Sequence, residues 1–176
     1  MIRRVNVLKW AAYTLCTILL SVFQMQEGFY PKIMDSTPLF AIPLVVSIAL
    51  LEGETAGGIF GILAGIVWDC GTGRIFGFNA LFLMIIGIGI GLFIKFLFHN
   101  SGLTVMLFTF IFTVFHEFIT WFFFDYMTSI RDLSFAFFHI ILPTAILTVI
   151  FALPIYFCVR VINHKLTFSE KSDSSI

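Results

Sequence analysis

Long apolar runs alternate with short polar breaks along almost the whole chain. The runs cover residues 10–23, 38–51, about 55–70, 78–98, 103–124 and 135–159. Three of them reach the roughly 20 residues that a helix needs to cross about 30 Å of hydrocarbon. Repeated apolar runs of this length in lipid are satisfied by helices, which pair every backbone group internally. The pattern predicts an all-α integral membrane protein: a six-helix transmembrane bundle over residues 1–162, followed by a short polar tail, 163–176. The second run, of about 14 residues, is marginal. It fits a thinned crossing, a helix extended into its flanks, or half of a re-entrant hairpin with the third run. Pro143 and Pro154 predict kinks in the sixth. Arg3, Arg4 and Lys9 precede the first run as in a signal peptide, but no small-x-small cleavage site follows, so it reads as a retained span.

The third run carries a second period. Gly53, Gly57, Gly61 and Gly65 lie four apart, and Asp69 takes the next beat. In water each glycine would cost a helix about 1 kcal/mol relative to alanine. In lipid, small residues at this spacing let a neighbouring backbone come close. Four residues overshoot one helical turn by about 40°, so the row winds around the helix as a groove. Gly87 and Gly91 give the fourth run a small face of its own. All six glycines are predicted to pack helix on helix. Glu52 and Glu54 open the third helix, where acids suit the N-terminal dipole.

Composition agrees with the pattern. Of 176 residues, 60% are hydrophobic and 11% charged, 24 are Phe, and mean hydropathy is +1.05. Lys+Arg and Asp+Glu are both 10, which gives no electrostatic ground for a nucleic-acid partner. Cys16, Cys70 and Cys158 lack CxxC spacing and suggest neither a disulfide framework nor a metal site. With six spans and the N-terminus inside, the inner segments hold Arg3, Arg4, Lys9, Lys95, Arg160, Lys165 and Lys171, and the outer ones Lys32, Arg74 and Arg131. Seven against three predicts both termini cytoplasmic in a multi-pass plasma-membrane protein.

Few residues suggest chemistry. His116-Glu117 lies inside the fifth run, where polar groups mark function. It begins like the HExxH zinc motif, but Thr120 stands where the second histidine is needed, so no metal is expected. Glu117 is expected to be protonated, to hydrogen-bond across helices, or to line a proton or substrate path. Asp69 and Arg74 flank a glycine turn and either pair with each other or meet a ligand. His139 reads as an interior hydrogen-bonding residue. No cofactor motif and no catalytic constellation is present.

The stretch 52–91 resembles the rod shape-determining protein MreD family. The family pattern G-x-x-x-G-x-x-x-G-x-x-x-D, a glycine turn and a closing G-x-N/x-A-L is met here by Gly57, Gly61, Gly65, Asp69, Gly73 and then Gly77-Phe-Asn79-Ala-Leu. Gly73, Gly77, Asn79, Asp69 and Arg74 thereby become expected structural or partner-contact positions. The resemblance implies a non-enzymatic scaffold of the bacterial cell-elongation machinery. Its implied partners are an MreC-like protein, the MreB filament, and RodA with a class B penicillin-binding protein. It also implies a bundle like the substrate-binding S components of energy-coupling-factor transporters. That likeness supplies the alternative function, a small-molecule binder serving such a transporter.

Overall fold

The computed structural model describes residues 2–26, 36–73, 75–97, 101–126 and 133–173. Six helical rods pack side by side, each antiparallel to the next in sequence. They are α1 (Ile2–Met25), α2 (Ala41–Glu52), α3 (Glu54–Thr72), α4 (Phe78–Leu97), α5 (Gly102–Thr120), and a final rod that includes α6 (Leu133–Ala136) and α7 (Leu142–Asp173). A π-helical stretch, Trp121–Tyr126, extends α5, and another, Phe137–Ile141, joins α6 to α7. Among the described residues, four segments are long and apolar enough to cross a membrane: Val7–Met25, Glu54–Thr72, Gly102–Phe124 and Phe137–Lys165. Ala41–Glu52 and Phe78–Ile94 are shorter apolar helices. Helix α7 continues to Asp173, into the stretch expected to be a polar tail.

The shortest of the rods, α2, is the centre of the bundle. Every residue from Ala41 to Leu50 is buried, and α1, α3, α4, α5 and α7 all touch α2. Apolarity on all sides is what a helix surrounded by other helices requires. Twelve residues give α2 about 18 Å. Residues 36–39 enter it as non-helical chain, with Ser36, Pro38 and Leu39 buried.

Non-helical backbone at membrane depth is tolerated only when protein groups satisfy it. The Leu39 amide donates to Thr148 Oγ1 on α7 at 3.0 Å, and the Ala41 amide to Gln24 Oε1 on α1 at 2.9 Å. In the other direction, Ser36 Oγ donates to the carbonyls of His139 (3.0 Å) and Ile140 (3.2 Å). These carbonyls lie in the π-helical stretch, just before Pro143, which has no N–H to give the ladder.

Helices α3 and α4 form the closest pair. A Cβ on Gly57 would collide with the Gly87 carbonyl, one on Gly61 with the Leu83 carbonyl, and one on Gly65 with the backbone of Ala80. Reciprocally, a Cβ on Gly87 would strike the Gly57 backbone and one on Gly91 the backbone of Glu54. Gly53 differs from the expectation. It sits in the turn between α2 and α3 with φ at 90°, and a Cβ there would meet nothing within 4 Å. Its role is the positive φ that reverses the chain. Glu52 likewise closes α2 and does not open α3; only Glu54 lies in the first turn of α3.

Glu52 ties three helices at one end. Lys9 Nζ lies 2.6 Å from its Oε1, Tyr13 Oη donates at 2.9 Å, and Asn163 Nδ2 on α7 also donates. The carboxylate opposes the dipole of its own helix C-terminus, which makes the ammonium beside it a requirement. Because Lys9 and Asn163 meet there, α1 begins and α7 ends at the same end of the bundle.

Close backbone approach makes a control available. Gly65→Ala is expected to destabilise the protein by on the order of 1–3 kcal/mol, the scale of overpacking. Gly89→Ala, with nothing within 4 Å of the added carbon, is expected to leave stability unchanged or raised. Thermal unfolding of both variants in detergent measures the difference.

Candidate functional site

At the end opposite Glu52, the α3–α4 contact brings an acid against a helix start. Asp69 lies in the last turn of α3 and is 4% exposed. There it opposes the negative end of its own helix dipole, so its position calls for compensation from elsewhere. The compensation is the N-terminus of α4. Asp69 Oδ2 accepts from the amides of Gly77 (2.9 Å) and Ala80 (3.2 Å), and Oδ1 from the Asn79 amide (3.2 Å) and Asn79 Nδ2 (2.9 Å).

A helix leaves its first N–H groups without intrahelical partners, and the preceding residue's side chain usually caps one of them. Gly77 holds that position here and has no side chain. Asp69 caps from the previous helix instead. The remaining donors are also placed: Phe78 N–H reaches the Ile75 carbonyl at 3.3 Å and Leu81 N–H the Gly77 carbonyl at 2.9 Å. Gly73 (φ 62°) and Gly77 (φ 96°) supply the left-handed turns that fold α4 back onto α3. Arg74, the expected ion-pair partner of Asp69, lies outside the described residues.

Asn79 carries the contact onward. Its Oδ1 is 2.8 Å from Nε2 of His116 on α5. His116 is 3% exposed, and its Nδ1 lies 3.3 Å from Glu117 Oε1. Trp68 stacks on the imidazole with centroids 4.9 Å apart, and Phe82 meets it edge-on at 4.9 Å. Asp69, Asn79, His116 and Glu117 thus form one chain of polar contacts through α3, α4 and α5, walled by aromatic rings. The Glu117 contact runs within α5, to its neighbour, and not across helices as one sequence expectation had it. Among the described residues no three His, Cys, Asp or Glu side chains group as metal ligands.

Sequence reasoning singled out three of these polar residues by position and Asn79 through the motif, but not their connection. It missed Trp68 and Phe82, because aromatic residues are so frequent that two around a histidine carry no signal. One signal was available: an acid in the last turn of a helix, followed by a glycine-bounded turn, implies a positive partner close by. His139 is half-buried in the π-helical stretch, which packs against α5.

The whole arrangement falls within residues 2–166, which match the family model of the rod shape-determining protein MreD. The chain belongs to the MreD family. Its role is in rod shape determination, as a membrane protein of the bacterial plasma membrane, in a family of shape-determining membrane proteins and not in a known enzyme family. No curated protein and no solved structure matches the chain.

Asp69→Asn keeps the shape but leaves one oxygen to serve four donors, and its NH2 faces N–H groups. Hydrogen bonds to charged groups contribute about 1.5–3 kcal/mol each. A loss of about 3 kcal/mol is therefore expected, read as a lower melting temperature. Asn79→Ala should lose less, because the α4 amides keep their acceptor.

Proposed function

We propose that the chain is a non-enzymatic scaffold of the cell-elongation machinery, organising peptidoglycan synthesis together with an MreC-like protein, the MreB filament, and RodA with its class B penicillin-binding protein. The observation that carries this reading is the family match over residues 2–166. The packing is in keeping with it. The centre of the bundle is occupied by α2, buried on every side. The outer faces of α5 and α7 present Leu107, Phe110, Phe115, Phe118, Ile150 and Phe157 outward. Such apolar faces suit lipid and the transmembrane helices of partners alike.

All six rods cross the bilayer in this proposal, with both termini cytoplasmic. Two observations support it. The start of α1 and the far part of α7 meet at Glu52, which fits an even number of crossings. The Lys/Arg split of seven to three assigns that end to the cytoplasm.

Depletion in a rod-shaped host is expected to round or widen the cells, scored by microscopy; normal cell shape would contradict the proposal. A reporter fused after Ile176 is expected to be active only in the cytoplasm. Activity outside the membrane would reverse the orientation.

A further inference from the structure

The contacts around His116 constrain where protons can be. A carboxylate offers about four lone-pair positions and no donor. Asp69 receives four N–H groups, two at each oxygen. One of these is Asn79 Nδ2, at 2.9 Å. That contact decides which way the Asn79 amide points: NH2 toward Asp69, oxygen toward His116. An amide oxygen only accepts, so Nε2 of His116, 2.8 Å from it, must carry a hydrogen.

What remains is Nδ1, facing Glu117 Oε1 at 3.3 Å. With no hydrogen between them, two lone pairs would oppose each other inside an apolar bundle. One proton makes the contact attractive, whether it resides on nitrogen, as imidazolium and carboxylate, or on oxygen, as imidazole and carboxylic acid. A second proton is also tolerated, because Nδ1–H can donate to a neutral acid. Losing the only proton is not: it leaves a repulsive contact and a carboxylate without compensation in a largely buried setting, both costly away from water.

We propose that His116 and Glu117 share one proton, and that this proton keeps the His116 ring turned toward Asn79, so that the tie between α5 and the α3–α4 pair loosens on deprotonation. The titratable groups facing the pair are few among the described side chains. Asp69 comes from α3, and His139 from the π-helical stretch packed against α5. The described side chains of α4 include none, and in α2 only Glu52, at the far end, is titratable. Those of α7 (Tyr156, Cys158, Arg160, His164 and Lys165) lie toward the Glu52 end as well.

The sign follows from the contact. The tie is complete while the proton is bound, so its contribution to stability is present at low pH and lost once the proton is gone. The test is thermal unfolding of the full chain in lipid nanodiscs over a series of pH values. The melting temperature of the wild type should fall as pH rises. Glu117→Gln supplies an amide N–H to Nδ1 that does not titrate, so this part of the slope should disappear while Asp69 and His139 remain. An unchanged slope in Glu117→Gln would overturn the proposal. Should that variant not fold, nitrogen NMR of labelled imidazole decides, with His99, His139 and His164 replaced by Gln. Nε2 carrying the hydrogen in the low-pH protein is the expected result. A bare Nε2 in that state would overturn it.

Discussion

The bundle depends on how closely α3 and α4 approach. Without side chains at Gly57, Gly61, Gly65, Gly87 and Gly91, the two backbones touch along most of their length. That approach brings the last turn of α3 level with the first turn of α4. Only then can Asp69 reach the amides of Gly77, Asn79 and Ala80. The glycines and the aspartate, continuous in the four-residue period, are thus parts of one device. The first bring two helices together, and the last closes their shared end with opposite partial charges. In lipid, where water cannot satisfy the orphan N–H groups of a helix start, such a cap matters more than it would at a protein surface.

The second theme is economy of backbone satisfaction around α2. A helix of twelve residues is entered by non-helical chain, and the backbone of that lead-in needs partners. Gln24, Thr148 and Ser36 meet that need from or toward α1 and α7. Pro143 breaks the ladder of the last rod at the level where Ser36 can donate to it. The apolar centre and the polar exceptions around it are therefore one arrangement. Each buried hydroxyl or amide among these stands where an irregular piece of backbone requires it.

Much of this was legible in the sequence, for identifiable reasons. Lipid demands apolar runs of a given length, so the rods could be read directly. Close helix approach demands small residues at a fixed period, so the Gly57–Gly65 row could be read too. Gly53 kept the same period but serves a turn, because spacing alone does not mark where a helix begins. The partners of Asp69 were missed for a different reason. Sequence reading looks for charged side chains, whereas three of the four donors among the described residues are backbone amides that almost every residue possesses. The link from Asn79 to His116 joins residues far apart in the chain, and no local pattern encodes it. The short second run looked deficient in length; its all-round apolarity was the clue that it lies at the centre.

Amide hydrogen exchange tests the central claim most directly: that Asp69, carried by the glycine-packed helix, holds the start of α4. In the wild type the amides of Gly77, Asn79 and Ala80 should exchange slowly, and in Asp69→Ala those amides should become fast while Leu83 and Ile86, deeper in α4, stay protected. Equal exchange at Gly77, Asn79 and Ala80 in both proteins would contradict the account.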